Sequence, residues 1–121
     1  MLLALDGDSL THRAYHGGPK TIRNNAISGF ASWLVTLWQA EKPDAIVVGW
    51  DTLTVPTYRH EAFQPYQSGR EFDQALLEQL ELLPDVVRAA GFAAAKGDGY
   101  EADDFLAAAA ERWPGEVRIV T

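Results

Sequence analysis

Glu101, Asp103 and Asp104 place three carboxylates within four positions, just after a Gly97-Asp98-Gly99 turn and at the head of an Ala-rich stretch. Like charges this close repel by roughly a few tenths of a kcal/mol per pair even in water. The first turn of a helix tolerates them, because the positive end of the helix dipole favours anions. They become useful if they hold a cation. Asp6 and Asp51 each follow an apolar run that reads as a buried strand. Carboxylates delivered from three separated segments suggest a site for a hard, oxygen-seeking metal ion.

The elements that must position these acids are legible from patterning. Leu2-Leu3-Ala4-Leu5 reads as a short buried strand ending at Asp6-Gly7, and Asp8 or Ser9 is the expected cap of a short helix carrying Leu10, Arg13 and Ala14. Residues 16–25, rich in Gly, Pro and Asn, read as a loop. Ile27, Phe30, Leu34, Leu37 and Trp38 follow helical spacing until Lys42-Pro43-Asp44 breaks it. Ala45 to Trp50 is continuously apolar, as in a parallel strand covered on both faces.

The stretch from about 52 to 72, with two prolines, reads as a mobile loop or arch. Leu76, Leu80, Leu83 and Val87 extend a helical stripe from Phe72, and Pro84 predicts a kink or restart. Gly91 is the expected C-terminal cap, Phe92 to Ala95 a short strand, 101–113 a helix and Val117 to Val120 a fourth strand. Alternating strands and helices predict an α/β fold: a doubly wound, mostly parallel sheet with helices on both faces. In such sheets ligands bind beyond the carboxyl ends of the strands. Asp6, Asp51 and the 101–104 cluster all fall there.

Composition narrows the classes. At 121 residues the chain is one domain, small for a complete nucleotide-processing enzyme. No apolar run approaches the length of a membrane span, so no membrane partner is expected. The absence of cysteine excludes disulfide and thiolate chemistry and fits a cytoplasmic location. A net charge of −7 argues against nucleic acid, yet two bound divalent ions would offset four of those charges.

Taken in order, Leu5-Asp6-Gly7, Arg13-Ala14-Tyr15-His16, Ser28-Gly29-Phe30, Asp51, Tyr58-Arg59-His60-Glu61, Tyr66 to Arg70 and Gly99-Tyr100-Glu101-Ala102-Asp103-Asp104 resemble the bacterial 5′-nucleases. That family includes the N-terminal 5′→3′ exonuclease domain of DNA polymerase I and the flap endonucleases. The resemblance runs from Leu2 to Thr121, and Gly-Tyr-Glu-Ala-Asp-Asp is its most specific part. It implies a PIN-like, three-layer fold and hydrolysis of DNA phosphodiesters near a 5′ end or flap, dependent on Mg²⁺ or Mn²⁺, with two ions in the complete enzyme. By position it implies metal binding at Asp6, Asp51, Glu101, Asp103 and Asp104. Asp6, Asp51, Arg59 and Arg70 stand as the catalytic set, and Arg13, Tyr15, Arg59, Tyr66, Gln67 and Arg70 as DNA contacts. Tyr15 resembles the aromatic on which a terminal base stacks.

Two departures from the family pattern are visible. Gln67 stands where the family usually has a lysine near the scissile phosphate, which removes a cation able to stabilise transition-state charge. The family's Thr-x-Asp-x-Asp stretch, which supplies second-metal ligands, is expected directly after the fourth strand, where this sequence reaches Thr121. The helix-hairpin-helix region that grips duplex DNA is likewise expected further downstream, as is a polymerase in some members. The sequence therefore reads as the N-terminal part of a 5′-nuclease domain, incomplete at its C-terminus, monomeric, and impaired on its own.

Blander readings stand beside these. In isolation the 101–104 acids are helix-start residues complementing the dipole, and the arginines are solvated charges. His12, His16 and His60 read as surface or packing residues without ligand spacing, and Trp33 and Trp38 as core. A non-catalytic nucleic-acid-binding remnant is one competing function. A second is a haloacid-dehalogenase-type phosphatase, with Asp6 as nucleophile and Asp8 as acid/base.

Overall fold

The computed structural model describes residues 1–19, 21–52 and 74–121. The expected strands form one four-stranded parallel sheet in the order β3-β2-β1-β4. In chain order the elements are β1 (Leu2–Asp6), α1 (Gly7–Gly17), α2 (Asn25–Glu41), β2 (Ala45–Gly49), α3 (Gln74–Ala89), β3 (Ala93–Ala95), α4 (Ala102–Arg112) and β4 (Val117–Val120). The chain steps from β1 outward through β2 to β3, then crosses back to place β4 on the other side of β1. Right-handed crossovers running in opposite directions put their helices on opposite faces. Accordingly α1, α2 and α3 pack together, while α4 lies on β1, β2 and β4. The sheet is doubly wound, as the alternation of elements predicts.

β1 is central, and Leu2, Leu3, Ala4 and Leu5 are all buried because both faces are covered. Beneath it, Phe30, Ile46, Val48, Trp50, Leu76, Leu80, Leu83 and Val87 make the core. Asn24 provides no side-chain cap for α2. Gln79 of α3 does so instead: its Oε1 accepts from the N–H groups of Ala26 (2.8 Å) and Ile27 (3.0 Å). Its Nε2 donates to Asn25 Oδ1 at 3.2 Å, and Asn25 Nδ2 donates to the Tyr15 carbonyl at 3.1 Å. One buried amide network thus ties the end of α1, the start of α2 and the middle of α3. Every partner is satisfied, as burial of amides demands.

Several local expectations need correction. α1 begins directly after Asp6, which is itself the cap, in place of Asp8 or Ser9. It also runs through His16 and Gly17, which had read as loop, and the Gly18 N–H closes it on the Ala14 carbonyl. α3 runs through Pro84 as one continuous helix and does not restart there, its apolar stripe continuing on both sides. Gly91 (φ +95°) ends that helix as expected: its N–H reaches the Arg88 carbonyl and that of Phe92 the Val87 carbonyl. Trp33 and Trp38 flank the buried stripe of α2 and stay partly exposed, with Trp38 against the ring of Phe92. The expected arch lies outside the described residues. No helix among those described is long and apolar enough to cross a membrane.

Candidate metal centre at the carboxyl edge of the sheet

Parallel pairing sets Asp6 opposite Gly49, so β1 and β2 end at the same level. Beyond that level two glycines permit close approach. A Cβ on Gly7 would lie 2.5 Å from the Trp50 ring, and one on Gly49 would lie 2.9 Å from the Ala102 carbonyl. The first contact presses α1 against the exit of β2, and the second brings the head of α4 down on it. Trp50 is buried against Phe30, its N–H bonded to the Ala95 carbonyl (2.9 Å), which prolongs the pairing of β2 with β3. Its indole Nε1 is buried and meets no hydrogen-bond partner among the described residues.

Asp6 caps α1 by accepting from the Ser9 N–H at 3.0 Å. Asp51 Oδ1 accepts from the Ala102 N–H at 2.7 Å, so this carboxylate satisfies an orphan donor at the positive end of α4. The Asp51 N–H in turn donates to Asp8 Oδ1 at 2.7 Å. Thr52 Oγ1 donates to the Gly97 carbonyl (2.6 Å), which ties down the loop before α4. Asp104 Oδ2 accepts from the Glu101 N–H at 2.8 Å, forming one arm of a capping box.

The electrostatics are one-sided. Burial, then the charge of Asp103, raises the Asp6 carboxyl above its ordinary range despite the Ser9 hydrogen bond. Burial raises Asp51 as well, with repulsion from Asp6, Glu101 and Asp103 adding to it. Asp8 is pushed up to about 8, first by burial and then by Asp51. Charge on His12 relieves Asp6 and charge on Lys96 relieves Asp8. Among the described residues no Lys or Arg forms an ion pair with any of the three.

Asp6, Asp51, Glu101 and Asp103 therefore share one anionic neighbourhood, whereas Asp104 turns back to its own helix start. Among the described residues, no three His, Asp or Glu side chains are grouped closely enough to ligate one ion. Asp8 is the residue that the sequence reading undervalued. Its signal was an acid two positions past a strand-end Asp, where a helix start turns it toward the neighbouring strand's exit. Tyr15 is 7% exposed and packs into the core cluster. Arg13 is exposed on α1. Arg59, Tyr66, Gln67 and Arg70 lie outside the described residues. His12 and His16 stand one turn apart on α1 with ring centroids 6.2 Å apart. A loop reading of residues 16–25 hides that spacing, because it ends α1 before His16.

Residues 1–121 match the profile of the 5′-3′ exonuclease N-terminal resolvase-like domain. DNA polymerase I of Bacillus caldotenax is 37% identical over 129 residues, covering 99% of this chain and 15% of that polymerase. Among solved structures, bacteriophage T5 5′-exonuclease with bound zinc shares the fold at a TM-score of 0.67 and 20% identity, over 98% of this chain and 47% of the other. The T5 D15 flap endonuclease, in a complex with DNA and metal ions, superposes at a TM-score of 0.62 and 21% identity, over 98% and 47% respectively. The chain thus spans about a seventh of the polymerase it matches and under half of the phage nucleases.

Proposed function

The chain belongs to the 5′-3′ exonuclease family through its N-terminal resolvase-like domain, and from that premise we propose that Asp6 and Asp51 hold a Mg²⁺ or Mn²⁺ ion for phosphodiester hydrolysis near a DNA 5′ end or flap. One observation carries this reading. Three buried or half-buried carboxylates lie at the sheet's carboxyl edge, raised by burial and by one another's charge, with no arginine or lysine ion-paired to them among the described residues. An oxygen-rich, under-neutralised pocket of this kind suits a hard divalent cation. Such an ion, when bound, polarises a phosphoryl oxygen and lowers the pKa of attacking water.

The chain's own residues do the rest. The Ala102 N–H fixes one oxygen of Asp51, and the Ser9 N–H fixes one oxygen of Asp6. Asp8 holds the backbone on which Asp51 rides. Glu101 and Asp103 contribute charge, acting on Asp51 from the head of α4. We assign the phosphate contacts to Arg59 and Arg70 on the strength of the sequence resemblance. A phosphatase mechanism would need Asp8 as a mobile acid/base, but the residue is 8% exposed and its Oδ1 is bonded to the Asp51 N–H. Family membership also stands against it.

Cleavage of a labelled 5′-flap duplex by the product of the full reading frame tests the proposal. The expected result is Mg²⁺-dependent cleavage that a chelator abolishes and that Asp51→Asn lowers by about 100-fold or more, since even partners of metal ligands cost 10–100-fold. Salt-sensitive DNA binding without turnover would instead identify a binding remnant.

A further inference from the structure

The histidine pair on α1 has no place in the chemistry above. His16 is exposed in the last turn, His12 is half-buried one turn before it, and their rings are tilted by 32° with centroids 6.2 Å apart. Two histidines at i and i+4 on one helix face are a known metal-binding geometry. Rings bound to one tetrahedral ion, with metal–nitrogen bonds of about 2.0–2.1 Å, would have centroids roughly 5 Å apart. Closing that gap requires side-chain rotation; the His16 ring is exposed and meets the Tyr15 ring edge-on, with centroids 5.1 Å apart.

We propose that His12 and His16 form a two-imidazole site for a borderline transition-metal ion such as Zn²⁺, distinct from the carboxylate centre. Imidazole selects zinc, copper and nickel over magnesium, so the two sites sort ions by chemistry. Water or another small ligand completes the coordination at the open positions. The site does not depend on the nuclease reading, because its test measures binding and not cleavage.

The test is calorimetric titration of Zn²⁺ into the full-length protein under saturating Mg²⁺, alongside His16→Gln, His12→Gln and Asp51→Asn. One equivalent of Zn²⁺ should bind, weakened at least about tenfold by either histidine substitution, since a direct ligand matters no less than its outer partners. Asp51→Asn should leave that affinity unchanged. NMR of the imidazole nitrogens should show both rings shifting with zinc. Thermal melts of His16→Gln, which alters an exposed side chain, guard against unfolding as the cause. Zinc binding unchanged in His16→Gln, absent from the wild type, or lost only in Asp51→Asn would each overturn the proposal.

Discussion

Asp8→Asn should stabilise the metal-free protein while weakening its response to metal. Asparagine keeps an Oδ1 able to accept from the Asp51 N–H, so the 2.7 Å bond survives. What disappears is a buried charge whose pKa stands at about 8, against an ordinary 3.8. A carboxyl raised on folding binds more protons in the folded than in the unfolded state between those two values. Its contribution is fully present below about pH 4 and is lost as pH rises through about 8. About four pH units at about 1.4 kcal/mol each set a ceiling near 6 kcal/mol. Local opening relaxes part of this, so we expect on the order of 3 kcal/mol at pH 8, or roughly 10 °C in melting temperature. The assay is thermal and urea unfolding in chelator from about pH 5 to 9. Wild-type stability should fall across that range, and the gap between variant and wild type should widen. Added Mg²⁺ should raise the wild type's melting temperature more than the variant's. If Asp8→Asn melts below wild type at pH 8, or the gap does not change with pH, the electrostatic account of this site is wrong.

Gly7→Ala would drive a methyl into the Trp50 ring, and we expect a loss of about 1–3 kcal/mol by urea unfolding, with a change in tryptophan fluorescence. Gln79→Leu should cost about 2–4 kcal/mol, because it strips the cap from α2 and takes away the donor that Asn25 Oδ1 meets in the interior. Hydrogen exchange should show the Ala26 and Ile27 amides losing protection first. Asp6→Asn should lower flap cleavage by about 100-fold or more while the helical circular dichroism signal persists, since asparagine can still cap α1.

The sheet was legible because its strands are continuously apolar and its helices carry 3.6-period stripes, two patterns that few other elements imitate. Asp6 and Asp51 were legible as strand-end acids for the same reason. Asp8 was not, because its importance comes from Asp51, 43 positions away, and no local pattern reports a hydrogen bond of that range. The capping of α2 by Gln79 escaped for the same cause: a lone glutamine on a helical stripe carries no sign that it faces another helix's first turn. The end of α1 was misplaced because Gly17, Gly18 and Pro19 look like a loop, and the last helical turn is decided by one backbone bond from Gly18. Asp104 turned inward through a competition that sequence does not rank, between capping its own helix and facing the other acids.

The position of β1 between β2 and β4 has a consequence for how the chain is born. The strand bearing Asp6 is made first, yet its two neighbours arrive after Ala45 and after Val117. Until then Leu2 to Leu5 is an apolar ribbon with two open edges, the kind of segment that pairs with the wrong partner. Closing contacts over so long a stretch of chain is slow, because the loop entropy is lost before the pairing is gained. On a ribosome, the strand that carries Asp6 begins as an apolar segment open to mispairing.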